Sequence, residues 1–398
     1  MHDWIKCEKE GFRTRDAHLI KCFEKNRNVN KILVIDRPLT IPEILLKKKF
    51  WRVRNGKVIK KSPSSFLTKV SEKIYVLDIF SYDIIKPLIY KRDWWDYIFK
   101  KSSIIVKIGE TIKFLNLNNK ILFLWTPMST GVIGKLDEQM VVFDTLDNWT
   151  RHPEIRDKRG WISKGYKTIK ERADIIFANS VETQQFMNNL RTDPILVLNG
   201  VDKDFFQVEI PVLPDDIKNI NKPIVGYIGK LARRFDVALI SFLAKELPYM
   251  NFVILGQILN KDWIKPLYRY KNIYILGDRH YSLMSHYLKN FDICIIPHNI
   301  RSQDSGENSI KLYEYLAAGK PVVTTNFGGV EIFKDNIKIA FTKEDFLEGI
   351  IDYNMKLTKD RDYFNKLKNL ITSELTWGHK ANFMINEILK IYKNTGNL

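Results

Sequence analysis

The stretch that decides the fold is GENSIKLYEYLAAGKPVVTTNFGGVE, residues 306–331. Ser309 is positioned to cap a helix over residues 310–318. Gly319 supplies the left-handed residue that ends such a helix, and Pro321 prevents its continuation. The apolar run KPVVTT that follows predicts a buried strand. A helix leading directly into such a strand is typical of an α/β fold.

Similar runs of Val, Ile and Phe recur along the whole chain, separated by amphipathic stretches. Because the runs are continuous rather than alternating, they predict parallel strands buried on both faces. They lie at residues 31–36, 73–80, 120–125, 140–144, 174–180 and 194–200, and again at 223–229, 251–256, 272–277, 291–297, 320–325 and 337–341.

The segment EIPVLPDDIKNINKP interrupts this pattern with three prolines and predicts a linker. We therefore expect a first domain over residues 1–208, a linker over 209–222 and a second domain over 223–375. Apolar residues at helical spacing in the tail predict a helix over 376–398 that crosses back. Two doubly wound domains facing each other place a ligand in the cleft, beyond the carboxyl ends of the strands.

Composition narrows the class of protein. The net charge of +18 favours polyanionic partners such as nucleic acid, anionic lipid or phosphate-bearing substrates, although a lysine-rich coding bias would give the same excess. Three cysteines without a CxxC motif argue against disulfide or zinc frameworks and favour the cytoplasm. The charged N-terminus lacks a signal peptide, and no run reaches the ~18 apolar residues that cross a bilayer.

Lys311 and Glu314 raise the central chemical question, because both lie near the start of an otherwise apolar helix. A helix N-terminus after a strand and a polar loop attracts anions, and Lys311 adds a full positive charge there. Glu314 could accept two hydrogen bonds from a vicinal diol such as a ribose. The alternative is an exposed i,i+3 pair with no ligand. The residues alone leave both interpretations open.

The segment KLYEYLAAGKPVVTT resembles the donor-nucleotide helix of GT-B glycosyltransferases, in particular the GT4-like group that includes teichuronic acid biosynthesis glycosyltransferases. The resemblance extends over about residues 140–390 and is weak over 1–120. The other segments that carry it, in the family's order, are VFDTLDNW (142–149), ERADIIFANS (171–180), LNGVDKDFF (198–206) and GYIGKLARRFD (226–236). It implies a GT-B fold of two Rossmann-like domains.

Carried over by position, the resemblance implies that Glu314 holds the ribose hydroxyls and that Lys311 faces the diphosphate. Lys230 and Arg234 match the basic positions that neutralise the leaving diphosphate. Gly229, which has no Cβ, would let backbone approach a phosphate, and the helix start near Ser309 would add further positive potential.

One departure from the family's pattern concerns the donor sugar. Many relatives carry a glutamate eight residues before the ribose glutamate, where this chain has Gly306 with Glu307 beside it. Glu307 and His298 are further candidates near the donor. The repeat DKD at 202–204 looks like a metal motif of another glycosyltransferase class, but it lies in a stretch resembling an interdomain segment. We therefore predict no metal and no cofactor.

In the first domain, VFDTLDNW places Asp144 and Asp147 at the carboxyl end of a strand. Asp147 is the candidate for a residue near the reacting carbon or the acceptor hydroxyl; capping of the next helix is the alternative. Arg13 or Arg15, at the opening of an early helix, are candidates to point into the cleft. Residues 86–114 mix basic and aromatic side chains, which suits an anionic membrane surface unless the aromatics fill the core.

These observations together predict a metal-independent hexosyltransferase that moves a sugar from a nucleotide diphosphate, UDP by default, to a glycan or lipid-linked acceptor. The resemblance implies retention of configuration and a role in bacterial polysaccharide or glycoconjugate synthesis, peripheral at the inner face of the membrane. The alternative within the fold is a nucleotide-sugar epimerase. A nucleic-acid binder is the third hypothesis, but no nucleic-acid motif is present, and we expect no such partner.

Overall fold

We describe the protein from a computed structural model. The structure describes residues 3–46, 52–53, 55–90, 94–151, 159–188, 193–207, 212–299, 308–359 and 366–394. The chain divides into two compact units, the first formed by Met1–Val197 with Ala381–Leu398 and the second by Leu198–Lys380.

The strands of the first unit form two sheets. They are β1 Ile32–Ile35, β2 Leu39–Thr40, β3 Lys57–Ser62, β4 Ser65–Lys69, β5 Ile74–Ser81, β6 Ile121–Leu124, β7 Met140–Thr145, β8 Ile175–Ala178 and β9 Ile195–Leu196. One sheet has the order β1-β5-β4-β3 with β2 beside β5, and the other has the order β6-β7-β8-β9. The second sheet is parallel throughout, whereas β3, β4 and β5 pair antiparallel.

Helices cover the sheets of the first unit. They are α1 Trp4–Glu10, α2 Arg15–Lys25, α3 Ile41–Leu46, α4 Ile85–Tyr90, α5 Trp94–Lys100, α6 Ser102–Phe114, α7 Arg159–Arg172 and α8 Val181–Met187. The main core of this unit joins apolar residues of α5, α6 and α7 to β7 and β8, with Trp94, Ile98, Phe143 and Ile162 almost completely buried.

The second unit contains one sheet whose strand pairs are all parallel, as the continuous apolar runs predict. Its order is β12-β11-β10-β13-β14-β15. The strands are β10 Ile224–Ile228, β11 Asn251–Leu255, β12 Ile273–Gly277, β13 Ile293–Ile296, β14 Val322–Thr325 and β15 Lys338–Ala340.

Helices lie on both faces of this sheet. They are α9 Lys203–Phe206, α10 Val237–Glu246, α11 Lys261–Ile264, α12 Met284–Asn290, α13 Ile310–Ala317 and α14 Lys343–Lys359. One apolar cluster joins the sheet to α12 and α13, and a separate cluster joins it to α10 and α14. Alternate residues of β10 enter the two clusters, which is the packing expected of a strand buried on both faces.

The C-terminal helix α15, Trp377–Asn394, links the two units along the chain, because its residues from Ala381 onward cluster with the first. There Asn382 accepts a hydrogen bond of 2.8 Å from Asn26, and the Tyr392 hydroxyl donates to Gln139. The predicted crossing helix is therefore present. Among the described helices, none is both long and apolar enough to cross a bilayer.

The division between the units falls at residue 197, whereas the sequence pattern places it at 208. Residues 198–207 pack with the second unit because Phe206 is completely buried in its core. The described part of the predicted linker packs there too: Ile217 is buried, and Asp216 pairs with Arg279 at 2.7 Å. The prolines therefore mark an irregular segment whose described part packs on the second unit.

Two buried aspartates lie close together in the first unit. Asp36 follows β1 and accepts a hydrogen bond from the Trp4 backbone at 2.8 Å, while Asp78 of β5 accepts one from the Val53 backbone at 3.0 Å. Burial raises the pKa of Asp36 well above its usual range, and Asp78 adds to that rise. Burial likewise raises the pKa of Asp78 to about 7.

We expect Asp78→Asn to stabilise the protein at pH 8 and to stabilise it much less at pH 5. The folded pKa lies above the unfolded one, so the native state loses stability as pH rises from ~4 to 7. The asparagine side chain would still accept the Val53 hydrogen bond, but it would carry no charge. The expected gain at pH 8 is roughly 2–4 kcal/mol, measured by urea unfolding at both pH values. An equal effect at pH 5 and pH 8 would contradict the assignment.

Candidate functional site in the second unit

Two loops meet at the carboxyl edge of the sheet in the second unit. β10 leads into residues 229–236 and β13 leads into residues 297–299, and the two strands are parallel neighbours. The loops are joined by hydrogen bonds from the Asp236 amide to the Pro297 carbonyl at 2.9 Å and from the Asn299 amide to the Arg234 carbonyl at 2.7 Å. The structure thereby brings together two segments that are far apart in the chain.

Helix α13 approaches the same edge and is held to β10 by Tyr315. The Tyr315 hydroxyl accepts a hydrogen bond of 2.9 Å from the Ile228 amide. One turn earlier, the Lys311 side chain passes directly over Gly229: a Cβ added to Gly229 would lie 2.4 Å from the Lys311 Cε. The same Cβ would lie 2.4 Å from the hydroxyl of the buried Tyr227, so any larger residue at 229 would force the Lys311 side chain or the Tyr227 ring to shift.

Two of the predicted basic residues, Lys311 and Arg234, lie near His298, which is buried just after β13. Burial lowers the pKa of His298 well below its usual range, and the charges of Lys311 and Arg234 lower it further. Lys311 and Arg234 are half-buried and Lys230 is exposed. His298 is therefore a neutral imidazole beside two cations, which leaves the net positive potential of this edge to Lys311 and Arg234.

The start of α13 adds polar groups to the same edge. Ser309 occupies the N-cap position, as predicted, but its side chain makes no capping hydrogen bond. Within the described residues, Ser309 Oγ and Asn308 Nδ2 are buried and have no hydrogen-bond partner. Asn308 is oriented by Asn199, whose backbone amide donates to its Oδ1 at 2.9 Å. Buried polar atoms without partners are uncommon in proteins, and at a helix N-terminus they suit an anionic ligand.

Glu314 lies on the inner side of α13 and is only 7% exposed. The Tyr281 hydroxyl donates a hydrogen bond of 2.7 Å to its Oε1, and the Tyr281 ring stacks on Phe205 at 5.3 Å between centroids. Burial raises the pKa of Tyr281 well above its usual range, and the Glu314 charge adds to this, so Tyr281 remains a donor. The exposed-pair alternative does not describe Glu314.

Tyr281 is a site residue that the sequence pattern does not reveal. It lies 33 residues before Glu314, in a short 3₁₀ helix between β12 and α12. No local motif surrounds it, and only the tertiary fold brings the two side chains together.

The first-unit candidates lie at the carboxyl end of β7. Arg15 is buried and forms a two-pronged pair with Asp144, with nitrogen–oxygen distances of 2.9 and 3.0 Å. The Trp125 indole donates to the same carboxylate at 3.1 Å. The charges of Arg15 and Asp144 therefore pair with each other inside the first unit.

Asp147 is partly buried, and its backbone carbonyl accepts a hydrogen bond of 2.7 Å from Tyr166. The neighbouring Asn148 side chain accepts a hydrogen bond from the Thr150 amide at 3.1 Å and so caps this turn.

Two candidates remain, Glu307 and the DKD segment at 202–204. Glu307 lies outside the described residues. In the DKD repeat, Asp202 caps α9 by accepting a hydrogen bond from the Phe205 amide, which is a structural role. No group of three or more His, Cys, Asp or Glu suited to a metal ion occurs among the residues that the structure describes.

Residues 222–360 match the family model described as Glycosyl transferases group 1. The match lies within the second unit, and the chain has the GT-B fold.

Among curated proteins, the chain is 29% identical over 199 residues to a protein named as the teichuronic acid biosynthesis glycosyltransferase TuaH of Bacillus subtilis (strain 168). The match spans 47% of this chain and half the length of that relative.

Solved structures resemble the chain over most of its length. HepE of Anabaena, in complex with UDP and glucose, has a TM-score of 0.63 and 16% identity, covering 94% of this chain and 95% of its own. The trehalose-6-phosphate protein from E. coli bound with UDP-2-fluoro glucose has a TM-score of 0.62 and 12% identity, with coverages of 90% and 98%. At such identities the likeness establishes the fold.

Proposed function

We propose that the protein is a metal-independent glycosyltransferase that transfers a hexosyl group from a nucleotide diphosphate sugar to a hydroxyl of a glycan or lipid-linked acceptor. The observation that carries the proposal is the convergence of Gly229, Arg234, Lys311 and the α13 N-terminus at one sheet edge, with the buried Glu314 one turn away. UDP is the expected nucleotide, since two of the structural neighbours are bound with UDP or its sugars.

In the proposed reaction, the bond between the anomeric carbon and the diphosphate oxygen breaks, and its electron pair leaves with the nucleotide. The acceptor oxygen forms the new bond to that carbon and gives up its proton to a diphosphate oxygen. Lys230, Arg234, Lys311 and the amides near Ser309 stabilise the charge that grows on the leaving group, which is the largest catalytic task.

This mechanism would retain the anomeric configuration and needs no dedicated general base. Asp147 would orient the acceptor or stabilise the sugar cation. The Glu314 carboxylate, oriented by Tyr281, would accept hydrogen bonds from the ribose hydroxyls. The TuaH similarity supports a role in polysaccharide synthesis, and we propose that the protein acts in the cytoplasm, peripherally at the inner face of the membrane.

Thermal unfolding in the presence of UDP-, GDP-, ADP- and dTDP-sugars tests the donor assignment. Ligand that binds the native state stabilises it by about 2.7 kcal/mol at one hundred times Kd. One nucleotide series should raise the Tm of the wild type and fail to raise that of Glu314→Ala. If no series stabilises the wild type, with or without magnesium, the proposal fails.

A second measurement separates transfer from epimerisation, the other activity considered for this fold. Product analysis with the donor that the unfolding series identifies should show nucleotide diphosphate release that depends on acceptor. An epimerised nucleotide sugar without acceptor consumption would contradict the transferase assignment.

Gly229→Ala should weaken donor binding by about tenfold, or ~1.4 kcal/mol. The added methyl would lie 2.4 Å from both the Lys311 Cε and the Tyr227 hydroxyl, so the Lys311 side chain or the Tyr227 ring must shift at the proposed phosphate position. Calorimetric titration with the identified donor measures the change. Gly378→Ala is the matched control, because its Cβ would enter open space. Equal affinities for the two variants would contradict the role of Gly229.

A further inference from the structure

A short segment of the first unit exposes an unusual concentration of apolar side chains. Tyr82, Ile84, Ile85, Ile89 and Tyr90 are 41–68% exposed, within a short stretch that ends with helix α4. Scattered apolar residues on a surface are ordinary, but a contiguous group marks an interaction site. We call the segment Tyr82–Tyr90 the α4 surface.

The aromatic residues that the sequence pattern assigns to a membrane surface serve mainly to anchor this segment. Trp94 and Phe99 are 2% and 8% exposed and lie in the main core of the unit. Tyr90 stacks on Tyr97 at 5.3 Å between centroids, and Tyr97 stacks on Trp94 at 5.5 Å. The α4 surface is thus exposed and apolar, and at its C-terminal end Tyr90 contacts the core through Tyr97 and Trp94.

The other end of the α4 surface is fastened to the β3–β4 hairpin. The Tyr82 hydroxyl donates a hydrogen bond of 2.7 Å to the Pro63 carbonyl, in the turn of that hairpin. The segment is therefore attached at both ends, and Ile84, Ile85 and Ile89 between these contacts are exposed.

Basic residues flank the apolar side chains. Lys86 is exposed within α4, and Lys61 is exposed at the hairpin beside Pro63. The acidic groups nearby are already paired, Asp83 with Lys101 at 2.8 Å and Asp96 with Lys100. Across residues 57–61, 82–90 and 94–101 there are six lysines and two aspartates. The surface therefore combines exposed isoleucine and tyrosine with a net positive charge.

We propose that the α4 surface docks on a lipid membrane that contains anionic headgroups. Isoleucine side chains enter the boundary between headgroups and acyl chains, the tyrosine rings lie at headgroup level, and the lysines contact the lipid phosphates. Charge complementarity favours this occupant over a second copy of the chain, because two copies would bring like charges together. The inference rests on the membrane-peripheral part of the proposed function and not on its sugar chemistry.

Vesicle co-flotation of the full chain tests the proposal, with phosphatidylcholine vesicles and with vesicles that also contain phosphatidylglycerol. The wild type should float with the mixed vesicles and remain behind with phosphatidylcholine alone. Ile85→Ser/Ile89→Ser should weaken the association by about tenfold or more, and Lys86→Glu should weaken it by about tenfold. High salt should release the protein.

The control variant is Val212→Ser/Leu213→Ser, which removes two apolar residues of similar exposure from the second unit and should bind like the wild type. Wild-type failure to bind mixed vesicles would overturn the proposal, as would undiminished binding of Ile85→Ser/Ile89→Ser. A concentration-dependent dimer that this variant abolishes, without vesicle binding, would assign the surface to a second copy instead. Nucleotide-sugar stabilisation of the same samples, measured without vesicles, reports on the sugar chemistry separately.

Discussion

Lys311→Met should lower kcat by about 10²–10³-fold, corresponding to ~2.7–4 kcal/mol of transition-state stabilisation. Methionine keeps the length of the side chain over Gly229 but removes the charge that faces the departing diphosphate. The loss should exceed the loss in ground-state donor affinity, because negative charge on the leaving oxygens grows as the sugar bond breaks. Steady-state kinetics with the identified donor and acceptor measure both quantities.

His298 reports independently on the same substitution. The Lys311 charge contributes to lowering the pKa of His298, so removing it should move that pKa upward, toward its usual range. The imidazole resonance followed by NMR against pH detects this without any substrate. Lys261→Met, which removes an exposed lysine of α11, serves as the control and should leave both kcat and the His298 titration unchanged. A kcat within about threefold of wild type for Lys311→Met would exclude the assigned role.

The sequence pattern predicts the apolar strands of both units well, because their signal is local. Each continuous run of Val, Ile and Phe corresponds to a strand. The pattern misses the antiparallel hairpin of β3 and β4, whose first strand, KVIKKS, is mostly polar and lies at one edge of its sheet. An edge strand with one exposed face does not produce a continuous apolar run.

The candidate site is predicted in part, for a related reason. Lys311, Glu314 and Ser309 share one helix, so the motif of that helix locates all three. Tyr281 escapes detection because its contact with Glu314 depends on the fold. The aromatic residues of segment 86–114 show the opposite failure. Their composition suits a surface, but Trp94 and Phe99 are buried, and the exposed apolar side chains nearby include Ile85 and Ile89.

Arg15 shows why residue type alone does not decide between a functional and a structural role. As a basic residue at the start of an early helix, it is a candidate to face a ligand. In the structure it is 3% exposed and its partner Asp144 is 0% exposed, so each neutralises the other within the first unit. Arginine suits this arrangement because its planar group makes two parallel hydrogen bonds with a carboxylate.

Arg15→Met should therefore destabilise the protein strongly, by roughly 3–5 kcal/mol, because it leaves the Asp144 charge buried and unpaired. At ~2–4 °C per kcal/mol, the Tm of the first unit should fall by roughly 6–20 °C. Calorimetry measures the change. Lys338→Met, which breaks a half-exposed pair with Asp352, is the control and should cost less than about 1 kcal/mol.

The double variant Arg15→Met/Asp144→Asn distinguishes the structural role from a functional one. Without the buried charge, much of the lost stability should return, since the Trp125 indole can still donate to the asparagine oxygen. If Arg15 instead served a ligand, Arg15→Met would abolish activity while leaving the Tm unchanged, and the second substitution would restore nothing. The two roles predict opposite results in the same pair of measurements, because a neutralised buried pair contributes to folding before any substrate is present.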